Sequence, residues 1–272
     1  MCESTQNVRG TSMNLKSSAR RQFVKWSAGT VATLATTQTL AQICHTNSAE
    51  QPLGPFFPRP GTPEIPVMED KNSPIYLAND SDLTRVKGLS QNAQGQVVYV
   101  KGRVTTGDCQ PLAGATLIIW QASESGRYNH LGDGANHDFV HPKTGEVIER
   151  KLDGAFQYWG KAVTDQNGDY LFKTIVPGFY PADLEAQWYR PPHIHFMVSA
   201  TGYPQLVTQM YFSGNKIQNN NWIQELNQKD FLLQTEKISD EQRKKLIVEF
   251  AEDATGEIKD GLVGVFDISM TR

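Results

Sequence analysis

From Val97 to Met270 the chain is a succession of short runs rich in β-branched and aromatic residues, most of them ended by a Gly, Asn or Asp turn. The series opens with Val97 to Val104 and turns at Thr106-Gly107-Asp108. Ala115 to Gln121 follows as a short apolar run. Asp165-Gln166-Asn167-Gly168-Asp169 is a strong turn, and Tyr170 to Ile175 leaves it as a strand. His193 to Ser199, Leu206 to Phe212 and Leu262 to Met270 supply three more strands. Helix is scarce: its best case is Ile238 to Gln242, where Ser239 can cap and Gln242 sits three residues on, leading into Leu246, Ile247 and Phe250. This pattern predicts an all-β fold, an antiparallel β-sandwich with few short helices. With 272 residues, 39% of them apolar, there is enough chain to bury a core. No internal repeat divides it.

Upstream, Gln51 to about Asp82 is Pro-rich and irregular. Proline cannot donate to a ladder, so this stretch predicts an extended arm, and its Phe56-Phe57 pair predicts that the arm packs onto something. The expected organisation is a leader over 1–41, an arm and linker over 42–95, and one β-sandwich domain over 96–272.

The net charge of −3 hides an uneven distribution. Residues 1–41 hold Arg9, Lys16, Arg20, Arg21 and Lys25 against Glu3, a balance of +4, which leaves −7 for the rest. An acidic body without a Lys/Arg run argues against nucleic-acid binding. In the leader, Arg20-Arg21-Gln22-Phe23 precedes a charge-free run from Trp26 to Ala49. That run is too Thr-rich and too weakly apolar for a stable membrane span. It fits a secretory signal, Thr39-Leu40-Ala41 offers small residues for cleavage, and the paired arginines resemble twin-arginine signals. The sequence therefore predicts an exported, periplasmic protein. Cys44 and Cys109 could then pair in an oxidising compartment. Three cysteines are too few for a disulfide framework or a Cys-rich zinc module.

The chemistry concentrates in Arg190-Pro191-Pro192-His193-Ile194-His195-Phe196. On a strand, His193 and His195 share one face while Ile194 and Phe196 share the other. Two imidazoles on one face can hold a metal, although the tripeptide alone fits a surface pair equally well. Two tyrosines change the balance. Tyr180 lies thirteen residues before His193, in a rigid Pro/Gly context, and Tyr128 lies in the loop after the Trp120 strand. Phenolate is a hard anionic donor. Two phenolates with two imidazoles favour ferric iron over ferrous iron or zinc.

Four blocks resemble the intradiol ring-cleaving dioxygenases, especially the protocatechuate 3,4-dioxygenase and catechol 1,2-dioxygenase types. They are Gly54 to Pro58; Pro111 to Ala115 with Trp120 to Tyr128; Thr164 to Pro181; and Arg190 to Phe196. Thr208 to Phe212 is a weaker fifth. The resemblance implies a mononuclear non-haem Fe(III) centre held by Tyr128, Tyr180, His193 and His195. It also implies that a catecholic substrate and O2 combine to give a muconate-type diacid. Tyr180 would leave the metal and help take up a proton. Arg190 would steady charge on the attacked ring, and Gln209 would stand behind the ligands. The sequence leaves a homo- or hetero-oligomer open.

Some positions depart from the family pattern. Tyr189 stands where the family often has Trp before the arginine, with Trp188 one earlier. Ala182 replaces a pocket Trp, which puts protocatechuate itself in doubt, and Lys161 replaces an arginine. A non-catalytic transthyretin-like exported module is the alternative reading of the sandwich, but it gives no reason for the Tyr/Tyr/His/His set. A zinc hydrolase on His193 and His195 lacks a carboxylate ligand and a helical Glu base. His130, His137 and His141, with Asp138, read as a polar loop rather than a zinc or calcium site, because their spacing is irregular.

Overall fold

The computed structural model of the chain describes residues 47–58, 80–133, 138–217 and 220–272. The proposed leader, Cys2, Cys44, the arm over 59–79 and His137 lie outside the described residues. The elements run β1 (Val97–Thr106), β2 (Thr116–Trp120), β3 (Phe139–Val140), β4 (Val147–Ile148), β5 (Trp159–Val163), β6 (Asp169–Ile175), β7 (Tyr180–Asp183), β8 (Trp188–Arg190), β9 (His193–Ser199) and β10 (Leu206–Phe212). Then come α1 (Asn220–Lys229), α2 (Asp240–Leu246), β11 (Ile247–Val248), β12 (Phe250–Ala251), β13 (Leu262–Val265) and β14 (Ile268–Met270).

The fold is all-β, built on two five-stranded sheets. One carries β6, β1, β13, β14 and β12, and the other runs β11-β10-β9-β2-β5. The hairpins β3–β4 and β7–β8 stand outside both. Three strand pairs are parallel rather than antiparallel: β1 with β13, β1 with β14, and β10 with β11. A parallel partner needs a long return, and both helices lie in the connection from β10 to β11. The expected last strand is two strands in one register against β1. It breaks at Phe266-Asp267, where the Tyr170 hydroxyl donates to Phe266 O at 2.5 Å and Asp267 accepts the Arg103 N–H at 2.9 Å.

The period of two along β9 places the core and the site back to back. Ile194, Phe196 and Val198 are buried in the main core. There the Phe196 ring lies 6.2 Å from Phe172 and 5.0 Å from Phe266, both in or beside the facing sheet. Burying such side chains is worth about 1.5–3 kcal/mol each. His193 and His195 take the other face. That face is also covered, by a second apolar cluster of Phe56, Trp120, Ala122, Tyr128 and Tyr180. The arm supplies the cover: Gln51 N–H donates to Val207 O at 2.9 Å, and Leu53, Phe56 and Phe57 join the cluster. This is the packing that the Phe pair predicted.

Candidate metal centre

Strand register assembles the centre. Antiparallel pairing sets Trp120 and Gln209 beside His195 and sets Tyr211 beside His193. The Trp120 ring stacks on His195 with centroids 4.7 Å apart and planes 9° apart. His193 Nδ1 lies 2.6 Å from Pro191 O, which requires a proton on Nδ1 and leaves Nε2 as a lone pair. That Nε2 is 3.2 Å from His195 Nε2 and 3.4 Å from the Tyr128 hydroxyl. Among the described residues, no hydrogen-bond partner claims His195 Nδ1.

The tyrosines come from two interlocked loops. Gly178 N–H donates to Ser123 O at 2.9 Å, and the backbones touch so closely that a methyl on Gly178 would sit 2.2 Å from Glu124 O. Only glycine allows that approach. It brings the rings of Tyr128 and Tyr180 to 5.6 Å at an interplanar angle of 88°. Phe56 closes over both, with its centroid 4.6 Å from Tyr128 and 6.3 Å from Tyr180.

Behind the tyrosines lies a fully buried ion pair. Asp133 accepts the Tyr128 N–H at 2.7 Å and pairs with Arg150 at 3.0 Å, and Arg150 also lies 5.7 Å above the Tyr180 ring. Behind the histidines, Arg190 donates from Nη2 to Gln209 Oε1 at 2.7 Å and from Nε to Asp230 Oδ2 at 2.7 Å. Gln209 in turn donates to Pro52 O of the arm at 3.0 Å.

The electrostatics suit a cation. Burial pushes both phenols up, Tyr128 well above its ordinary value with Tyr180 adding to the effect. Burial, reinforced by the charge of Arg190, holds both histidines well below the usual imidazole range. Both rings are therefore neutral and able to ligate, while the phenols ionise only beside a positive charge. Two such imidazoles and two such phenols fit a hard trivalent ion better than a divalent one, because paired phenolates offset its charge. Among the described residues there is no group of three or more His, Cys, Asp or Glu able to hold a metal.

The other candidate histidines do local work. His130 Nδ1 accepts Gly132 N–H at 2.9 Å, His141 Nδ1 accepts Lys143 N–H at 3.0 Å, and Asp138 accepts Arg150 N–H at 2.8 Å. Ala182 is exposed on β7, and Lys161 pairs with Ile118 in the sheet. Tyr189 packs on Phe139 and Phe179, and Trp188 packs on Phe231.

A family model described as Dioxygenase matches residues 71–255. The chain belongs to the intradiol ring-cleavage dioxygenase family. It is 35% identical over 167 residues to the protocatechuate 3,4-dioxygenase beta chain of Burkholderia cepacia, covering 58% of this chain and 66% of that one. It is 29% identical to catechol 1,2-dioxygenase of Candida albicans, covering 77% and 60%. With hydroxyquinol 1,2-dioxygenase of a Rhizobium it shares 30% identity, covering 51% and 45%. The matches thus span between 45% and 66% of these relatives' lengths. The fold also matches a solved intradiol ring-cleavage dioxygenase from Tetranychus urticae, with TM-score 0.53 and 22% identity, covering 83% of this chain and 95% of that one.

The structure brings the four candidate ligands Tyr128, Tyr180, His193 and His195 together and sets Arg190 and Gln209 behind them. The sequence motifs gave no sign of Asp133, Arg150 or Asp230. Each of these carboxylates meets its arginine through the fold and carries no motif of its own. The stacking role of Trp120 was legible only as the end of an apolar run.

Proposed function

We propose that this chain is an Fe(III)-dependent intradiol dioxygenase that opens a catecholic ring with O2 to give a muconate-type dicarboxylic acid. The observation that carries the reading is the convergence of Tyr128, Tyr180, His193 and His195 on one buried spot, with both imidazole Nε2 atoms turned toward each other. A bound ferric ion would supply the Lewis acidity that ionises a chelating catechol and primes its ring for O2. The remaining work falls to the protein. Tyr180 carries the phenol oxygen that can take up a catechol proton. Arg190, held between Asp230 and Gln209, places a buried cation where negative charge develops on the ring. Phe56, Trp120 and the arm keep water from the centre, which strengthens each of these interactions.

Export through residues 1–41 belongs to the same proposal. It is supported by the paired arginines and by Cys109, which is disulfide-bonded, as suits an oxidising compartment. Among the described residues no helix is long and apolar enough to cross a membrane.

The test is to load the purified protein with iron and follow O2 uptake with catechol, protocatechuate and hydroxyquinol. Uptake with a ring-opened diacid product and a phenolate-to-iron charge-transfer band is expected. A colourless protein that keeps zinc in preference and consumes no O2 with any of the three would overturn the reading.

A further inference from the structure

Arg190 is held on two sides by groups far apart in the chain. Its Nη2 donates to Gln209 Oε1 at 2.7 Å and to the Tyr211 hydroxyl at 3.3 Å, both from β10. Its Nε donates to Asp230 Oδ2 at 2.7 Å, just beyond α1. A guanidinium is planar with its donors in a fixed fork, so fixing two of its nitrogens fixes its plane.

Asp230 is itself immobilised. Its side chain is wholly buried. Its second oxygen, Oδ1, accepts the N–H groups of Leu232 at 3.0 Å and Leu233 at 2.8 Å. The turn is tied down in turn: Gln234 N–H donates to Asp230 O at 2.8 Å, Gln234 Nε2 donates to Asn227 O at 2.8 Å, and Asn227 Nδ2 donates to Phe212 O at 2.8 Å. The last of these returns the network to β10 at Phe212, the residue after Tyr211. A lone buried guanidinium would carry a desolvation cost that one well-placed carboxylate offsets.

The geometry points to Asp230 as the positioning residue for Arg190, setting the plane and the charge balance of the guanidinium that faces the bound ring. The Asp230 carboxylate spends its hydrogen bonds on Arg190, Leu232 and Leu233, and acts through Arg190. This assignment rests on the reading under Proposed function and extends it to the turn after α1, a segment outside the motif blocks.

The test is a double-mutant cycle with Asp230→Asn, Arg190→Met and the double variant, each loaded with iron. Asparagine keeps the acceptor for Leu232 and Leu233, so the turn can survive the change. In D230N, kcat with the best catechol should fall by about tenfold or more while KM stays within about threefold, the signature of a misplaced group that acts in the transition state. In the R190M background the same change should leave kcat unaltered. Anaerobic binding of 4-nitrocatechol, read by its own absorbance, should show the same non-additivity. Asp230→Glu, which restores the charge, should recover part of the kcat loss and covers the case in which D230N does not fold. Equal losses from D230N in both backgrounds, or a lowered melting point with kcat unchanged, would overturn the assignment. Wild-type protein that turns over no catechol would instead remove the parent reading, and 4-nitrocatechol binding alone would then decide the role of Asp230.

Discussion

The Nε2 atoms of His193 and His195 face each other across 3.2 Å, on two rings buried under the arm. Burial holds both below the usual imidazole range, so the folded state keeps them neutral. The unfolded chain binds protons at these rings below a pKa of about 6.5. The unfolded state then carries more protons, and stability falls as pH falls through that value. Metal-free protein should keep this contribution above about pH 7 and lose up to about 1.4 kcal/mol per pH unit per ring below about pH 6.5. Urea midpoints across that range, compared with those of a His193→Ala/His195→Ala variant, check it. An equal pH slope in the two proteins would refute it.

The four donors should not be equivalent. Replacing His195 with Ala removes a neutral donor and the partner of Trp120, and both iron and colour should be lost. Replacing Tyr180 with Phe leaves three donors, so iron should stay while ring opening slows by about a hundredfold or more, within the range for a lost proton acceptor. Iron content against kcat separates the two outcomes, and unchanged turnover in Tyr180→Phe would remove its proton role.

Asp133 and Arg150 form a pair whose side chains are both fully buried. Asp133→Ala would take away the carboxylate that pairs with Arg150 and the acceptor of the Tyr128 N–H, so a loss of about 3–5 kcal/mol is expected. Asp133→Leu with Arg150→Met removes both charges and should recover much of that loss. Chemical denaturation of the three proteins decides it, and a double variant no better than the single would refute the charge argument.

Some of this was written locally and some was not. β9 and β10 are compact runs of apolar, aromatic and β-branched residues between turn signals, buried at nearly every position, and their bounds could be read residue by residue. The capping box of Ser239 and Gln242 marks the start of α2 and forms in both directions. By contrast, α1 reads Asn-Asn-Trp-Ile-Gln-Glu-Leu-Asn-Gln-Lys, which is polar with poor helix formers at its start. Its burial of Ile223 and Leu226 shows only when packed. The split of the last strand depends on Tyr170, ninety-six residues away from Phe266. The proposed ligands Tyr128, Tyr180, His193 and His195 could be picked out because tyrosine and histidine stand there in recognisable motif blocks. The Asp230–Arg190 and Gln209–Pro52 contacts were not, because they join segments forty and one hundred and fifty-seven residues apart.

The close approach of the two tyrosine loops makes Gly178 a sensitive position. A methyl group there meets backbone at 2.2 Å, which no rotamer can relieve. Gly178→Ala should therefore cost about 2–4 kcal/mol and shift Tyr180, and with it the spectrum of the iron-loaded protein. Gly202→Ala is the control. It has a positive φ of 82° but open space around it, so only a strain of about 1 kcal/mol is expected. Melting curves that rank the two variants the other way would refute the packing argument.

Cys109 is disulfide-bonded, and the sequence holds two other cysteines, Cys2 and Cys44. Its turn lies against the start of the arm, since a methyl on Gly107 would meet Asn47 Oδ1 at 3.4 Å. Cys44 precedes Asn47 by three residues, whereas Cys2 belongs to the proposed leader, so Cys44 is the expected partner. The arm beyond that staple carries Gln51 and Pro52 into the Arg190 network and Phe56 onto the tyrosines. Cys109→Ser should then cost about 2–4 kcal/mol, mainly by releasing the unfolded chain. It should also let a chelator strip iron faster, because the cover over the ligands is no longer anchored. Peptide mapping without reduction should recover a Cys44–Cys109 cross-link. A freely alkylated Cys109, or a chelation rate unchanged in Cys109→Ser, would show that the arm holds the site without it.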